Sequence, residues 1–113
     1  MPRTLLVVQD DLFFAARVQA AARRLRIPVA MVSPRELEAR PAAKDLVIVM
    51  QLTIDPERQL ALLQRLRARD PAPTVVAVSG HLEVDLRRRA KALGARLATN
   101  SALDRALQKA AAD

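Results

Sequence analysis

The sequence predicts a single α/β domain in which short strands and helices alternate five times. Three observations support this prediction. Apolar runs of about five residues recur along the chain, segments with helical spacing of their apolar residues follow them, and prolines or a glycine separate the units. Such alternation implies a parallel sheet with helices on both faces, because each crossover is right-handed and packs back on the sheet. The 113 residues suffice for one domain of this kind.

The elements follow from these runs in order. We predict strands at residues 4–8, 29–32, 46–50, 74–78 and 95–98. The predicted helices run from residue 10 or 11 to 26, from 34 to about 40, from 55 to about 69, from 82 to 93, and from 101 onward. The third strand is apolar throughout, which is typical of a central parallel strand covered on both faces.

Residues suited to starting helices precede each predicted helix. Asp10 and Asp11 are both candidate N-caps of the first helix, and Ser33 to Glu36 matches a capping box with proline at the first helical position. Asp55 is predicted to cap the third helix. Ser101 is predicted to start the last helix, with Asp104 as its partner in capping.

The composition excludes several kinds of chemistry. The chain has no cysteine, two glycines and one histidine, which leaves no thiolate nucleophile, no cysteine-based metal site and no glycine-rich phosphate loop. No apolar run approaches the roughly 20 residues of a membrane span, and we expect no secretion signal because the first residues lack the pattern of one. We therefore expect a cytoplasmic, soluble domain without cofactor, metal, membrane contact or enzymatic activity. His81 is expected to be a solvated loop residue.

Four segments carry a resemblance to a known family, and their order and spacing matter more than any one of them. The segments are Leu5-Leu6-Val7-Val8-Gln9-Asp10, Asp45-Leu46-Val47-Ile48-Val49-Met50, Thr74-Val75-Val76-Ala77-Val78-Ser79-Gly80 and Ala90-Lys91-Ala92-Leu93-Gly94-Ala95. Together they resemble the receiver domain of bacterial response regulators, over essentially the full chain. The resemblance implies a flavodoxin-like fold with strand order 2-1-3-4-5 and a functional site at the carboxyl ends of the strands.

The same resemblance identifies the positions of a degenerate phosphorylation site. The family's two acids fall on Gln9 and Asp10, and its phosphoacceptor aspartate falls on Met50. Its hydroxyl residue falls on Ser79, and its lysine falls on Ser101. If the loop after the first strand is aligned one residue further along, Asp10 and Asp11 fall on the two acid positions. The phosphoacceptor aspartate is missing in either alignment. A thioether cannot form an acyl phosphate and is a poor ligand for hard cations. The resemblance therefore implies a receiver without aspartyl phosphorylation, and with weak Mg²⁺ binding at best.

Each of these positions also has a purely structural interpretation. Met50 would fill the hollow at the strand ends with apolar volume, with Phe13 or Phe14 covering it. Ser79 either keeps the family's switch position or binds a loop amide. Asp10 is either a remnant acid or a helix cap, and Ser101 is interpreted as an N-cap.

Two functional hypotheses follow. In the first, the chain is a stand-alone regulatory module that binds a protein: a second copy, another regulator or a kinase-associated protein. The resemblance places the contact on the fourth helix, fifth strand and fifth helix, at Leu86, Arg87, Ala90, Arg96, Leu97, Ala98, Arg105 and Lys109.

The second hypothesis is nucleic-acid binding, suggested by the net charge of +7. The candidate phosphate contacts are Arg65, Arg67, Arg69, Arg87, Arg88, Arg89 and Lys91. Consecutive arginines on a helix point in different directions, and no aromatic stacking platform accompanies them. The alternative interpretation is that these charges form ordinary solvated helix faces.

Overall fold

The fold is the one that the sequence predicts, a five-stranded parallel sheet covered by helices on both faces. The computed structural model describes residues 4–9 and 11–112. Its strands are β1 (Thr4–Val8), β2 (Val29–Val32), β3 (Leu46–Gln51), β4 (Thr74–Val78) and β5 (Arg96–Ala98). Its α-helices are α1 (Leu12–Leu25), α2 (Pro34–Ala39), α3 (Pro56–Arg67), α4 (Val84–Ala92) and α5 (Leu103–Ala112). The sheet order is β2-β1-β3-β4-β5, so the predicted flavodoxin-like topology is confirmed.

The alternation of side chains along the strands produces two separate cores. On one sheet face, Leu46, Ile48 and Met50 of β3 pack with apolar residues of α2, α3 and α4. On the other face, Val47 and Val49 pack with α1 and α5. Because β1 and β3 are buried on both faces, they consist almost wholly of aliphatic residues. β5 lies at one edge of the sheet and pairs only with β4.

The predicted side-chain caps are confirmed at two helices, α1 and α2. The Asp11 carboxylate accepts a hydrogen bond from the Phe13 amide at 2.9 Å, so Asp11 is the N-cap of α1. The capping box of α2 is present, with Ser33 and Glu36 bonded to each other's backbone amides. Asp10 lies outside the described residues.

The predicted start of α3 after Asp55 is confirmed, but two predicted side-chain caps are wrong. The Asp55 side chain makes no capping bond, because its backbone takes the left-handed conformation with φ 53° before α3. Ser101 lies inside a 3₁₀ turn, Asn100–Ala102, which follows the extended Thr99 and precedes α5. Asp104 is not a capping partner either, since its carboxylate binds Arg24 on α1.

The Arg24–Asp104 ion pair joins α1 to α5. The guanidinium donates to both carboxylate oxygens, at 2.9 and 2.8 Å. These hydrogen bonds hold the pKa of the Asp104 carboxyl below its ordinary value. The pair therefore stabilises the fold above the ordinary aspartate pKa, and its contribution disappears as the pH falls through the lowered value.

We expect Asp104→Asn to lower the urea midpoint of unfolding slightly at pH 7. The difference from the wild type should vanish in acid, where the carboxyl is protonated in both the folded and the unfolded chain. Arg24→Gln should produce the same small loss, and the double variant should lose no more than either single variant. An equal loss at neutral and at acid pH would contradict the ionic origin of the effect.

None of the helices in the described part of the chain has the length and apolar content needed to span a membrane.

Candidate functional site

The loops that follow β1, β3, β4 and β5 meet at the carboxyl edge of the sheet, because all the strands are parallel. Gln9 follows β1 and is exposed, and its backbone N–H donates to the carbonyl of Val32 at 2.7 Å. The position of the second acid, Asp10, lies outside the described residues. Asp11 is occupied as the α1 cap. In residues 4–9 and 11–112, no three side chains of the types that bind metals lie together.

Met50 lies in the interior of the domain. Its relative exposure is 0%, and β3 aligns it with Ala77 of β4. Its side chain belongs to the core on the face of α2, α3 and α4. Phe13 is 87% exposed, and Phe14 packs in the core on the opposite face. The prediction that one of these two rings covers Met50 is therefore wrong, because α1 lies on the other side of the sheet.

Gln51 and Gln59 fix the loop after β3, and the sequence analysis did not identify either of them. Gln59 is buried at 2% exposure, and its Nε2 donates to the carbonyl oxygen of Gln51 at 2.6 Å. Oε1 of Gln51 is buried and has no hydrogen-bond partner within the described residues. A pocket of about 200 Å³ lies here, and it is lined by Asp11, Phe13, Phe14, Arg17, Gln51 and Asn100.

Ser79 is buried at the end of β4, with an exposure of 2%. Its amide donates to the carbonyl of Ala98 at 3.1 Å, and its hydroxyl accepts a long hydrogen bond of 3.4 Å from Nη1 of Arg87. The interpretation that the hydroxyl binds a loop amide is therefore wrong. Glu83 binds the amide of Gly80 instead, at 2.8 Å, because its carboxylate folds back over the loop.

At position 101, to which the resemblance assigns the lysine, the chain presents a neutral hydroxyl. Ser101 is exposed, and its Oγ lies 3.1 Å from Oγ1 of Thr99. Arg87 reaches this edge through Ser79, and Arg17 lines the pocket beside Gln51. The arrangement at the strand ends therefore consists of an interior thioether, a buried hydroxyl held by an arginine, and two exposed polar residues, Gln9 and Ser101.

The contact surface expected on α4, β5 and α5 needs a correction. Leu86, Ala90 and Ala98 are buried in the two cores, at 9%, 0% and 4% exposure, so they are unable to contact a partner. These apolar residues hold α4 and β5 against the sheet. The remaining positions are accessible at least in part: Arg87, Arg96, Leu97, Arg105 and Lys109.

A groove of about 470 Å³ opens between β5 and α5 on this surface. It is lined by Arg96, Leu97, Ala106 and Lys109. Ala106 is a lining residue that the sequence analysis did not name, although it shares a helix face with Lys109 through their i, i+3 spacing. The groove combines an apolar floor with a basic rim, which suits a segment that carries both an apolar and an acidic side chain.

The arginines considered for nucleic-acid binding are largely engaged within the chain. Arg65, Arg88 and Arg89 form ion pairs with Glu38, Asp85 and Glu57. The hydrogen bonds from Arg89 also hold the pKa of Glu57 below its ordinary value. Arg67 donates to the backbone carbonyl of residue 73, and Arg69 donates to those of residues 37, 38 and 40. Most of the side chains considered for nucleic-acid contacts on α3 and α4 are therefore already bound to groups of this chain.

Solved structures similar to this chain are response-regulator receiver domains. A response regulator from Thermotoga maritima has a TM-score of 0.80 and 18% identity, over 100% of both chains. The chemotaxis response regulator CheY4 of Vibrio cholerae has a TM-score of 0.75 and 16% identity, over 97% of this chain and 99% of its own. A CheY-like protein, tadZ, from Pseudomonas aeruginosa has a TM-score of 0.73 and 20% identity, over 96% and 98%.

At these identities the likeness establishes the receiver fold alone. No protein-family model and no curated protein matches the sequence.

Proposed function

We propose that this chain is a receiver-like regulatory module that binds another protein and is not phosphorylated on an aspartate. The observation that carries the proposal is the complete burial of Met50 at the position that the resemblance assigns to the phosphoacceptor. Phosphoryl transfer to a receiver needs a carboxylate nucleophile together with a cation held by neighbouring carboxylates. A buried thioether provides neither of these groups, and no lysine occupies position 101 to pair with a phosphoryl group.

The groove between β5 and α5 is the surface through which we propose that the module acts. Two of its lining residues, Arg96 and Lys109, are cationic. Arg105 is a further exposed cation, four residues before Lys109 on α5. The acids on α4 and at the start of α5 do not neutralise Arg105 and Lys109, because Asp85 is paired with Arg88 and Asp104 with Arg24. The unbalanced positive charge favours a partner whose docking segment is acidic, with an apolar side chain seated over Leu97 and Ala106. A second copy would bring like charges together and is disfavoured.

The experiment is a pull-down from extract of the source cells, with the wild type and two charge-reversed variants as immobilised baits. Arg105→Glu/Lys109→Glu changes two exposed residues of α5. Arg23→Glu/Arg40→Glu makes the same change in net charge at exposed positions on α1 and after α2. A protein retained by the wild type is identified by mass spectrometry, purified, and titrated against all three chains.

The proposal expects a partner with an acidic segment, whose affinity falls at least tenfold for the α5 variant and stays near the wild-type value for the control. Equal affinity for all three chains would contradict the assigned surface. Retention of DNA by the wild type, lost in both variants alike, would favour the nucleic-acid hypothesis instead. Self-association in sedimentation that the α5 variant abolishes would replace the acidic partner by a second copy.

A further inference from the structure

A third cavity, apart from the carboxyl-edge pocket and the β5–α5 groove, lies between α2 and α3. Its volume is about 270 Å³, and its lining includes three arginines, Arg35, Arg58 and Arg65. Gln59 and Leu62 form its floor, and both are 2% exposed. Pro34 and Glu38 complete the lining. The pocket therefore has a fixed floor that belongs to the core and a rim of guanidinium groups.

The charges in this pocket are not balanced. Arg65 forms an ion pair with Glu38, which is the one acid in the lining. Arg35 and Arg58 have no hydrogen bond or ion pair with any group in residues 4–9 and 11–112. By contrast, four other arginines of the chain form ion pairs with carboxylates: Arg24, Arg65, Arg88 and Arg89. Two unpaired guanidinium groups at one pocket repel each other, and a bound anion would remove that repulsion.

We propose that the pocket binds a small phosphorylated molecule. Arg35 and Arg58 supply positive charge that balances a phosphoryl dianion. Each guanidinium also presents its N–H donors in a planar fork that matches phosphate oxygens. Pro34, which is partly exposed, offers apolar contact to the carbon skeleton. The volume accommodates a phosphoryl group with a part the size of a sugar. Arg65 completes the rim while it remains fixed by Glu38. The site is independent of the groove between β5 and α5.

Titration calorimetry with ribose 5-phosphate and with inorganic pyrophosphate tests the proposal, with ribose as the uncharged comparison. The wild type should bind both phosphorylated probes saturably and should not bind ribose. Arg35→Gln and Arg58→Gln should each weaken binding roughly tenfold, which is the effect of losing one charge-assisted contact. Neither arginine has a partner in the part of the chain that the structure describes, so both variants should keep the wild-type circular dichroism spectrum and urea midpoint.

The matched control is Arg23→Gln/Arg40→Gln, which removes two exposed charges elsewhere. The control should retain the wild-type affinity. In NMR spectra of the wild type, the backbone amide chemical shifts that change on adding the probe should concentrate at residues 34–38 and 58–65. No saturable binding at millimolar probe would overturn the proposal. So would an equal loss of affinity in the control, which would indicate general attraction to a basic chain. A probe-induced shift pattern centred on α5 would also overturn it.

Discussion

Replacing Met50 by Asp should lower the free energy of unfolding by about 3–5 kcal/mol at neutral pH. Met50 has 0% exposure and lies between β1 and β4 in the sheet, within an aliphatic cluster. The introduced carboxylate would be buried among apolar groups without a partner. The substitution that restores the acceptor type at this position is therefore expected to disrupt the core.

The pH dependence of this variant separates charge burial from loss of volume. Burial raises the pKa of the introduced carboxyl above its value in the unfolded chain. The variant should therefore regain stability as the pH falls through the raised pKa towards the ordinary aspartate value, because the neutral acid is cheaper to bury. Met50→Leu, the control of similar volume, should lose less than about 1.5 kcal/mol at every pH.

Urea unfolding followed by circular dichroism measures both variants. If Met50→Asp and Met50→Leu are equally stable at pH 7, the tip of β3 is accessible to water or to a cation, and the position is not an apolar interior site.

Truncating Leu107 to Ala should cost about 2–5 kcal/mol. Leu107 has 0% exposure, and α5 contacts the sheet through this residue together with Leu103 and Ala110. Removing its side chain would leave a cavity under the helix that carries Ala106 and Lys109, two lining residues of the β5–α5 groove. The same unfolding measurement applies. Lys109→Ala, an exposed position two residues away, should stay within about 0.5 kcal/mol of the wild type.

Partner binding by Leu107→Ala gives a second measurement on the same variant. If α5 packs as described, affinity should fall together with stability, because the groove depends on the position of the helix. A loss of stability below about 1 kcal/mol would mean that α5 contributes little to the fold and would remove the basis for a rigid groove.

The sheet could be predicted from sequence because its signal is local. The bounds of β1, β2 and β4 agree with the predicted runs, since each strand is a short apolar segment ended by a polar residue or a turn. Met50 was predicted to be apolar filling, and the structure buries it. The start of α5 could not be predicted, because Asp104 serves either as a capping partner or as an ion-pair partner. The distant Arg24 decides which one.

The candidate site was harder to predict, because its residues depend on tertiary contacts. Periodicity places Leu86 and Ala90 on one face of α4, but it does not reveal that the sheet covers this face. Gln59 occupies a position in an apolar stripe, and its bond to the carbonyl of Gln51 becomes visible only in three dimensions. The pocket that contains Arg35 and Arg58 is lined by residues of both α2 and α3. Because these helices are separate in sequence, no local pattern indicated the pocket.

The proposed silent receiver is tested most directly by intact-mass measurement after incubation with acetyl phosphate and Mg²⁺. Because the position of the acceptor holds a buried thioether, the chain should keep its unmodified mass, while an active receiver treated in parallel gains one phosphate. Appearance of a phosphate adduct that hydroxylamine removes would contradict the proposal, since it would mean that an aspartate of this chain accepts the phosphoryl group.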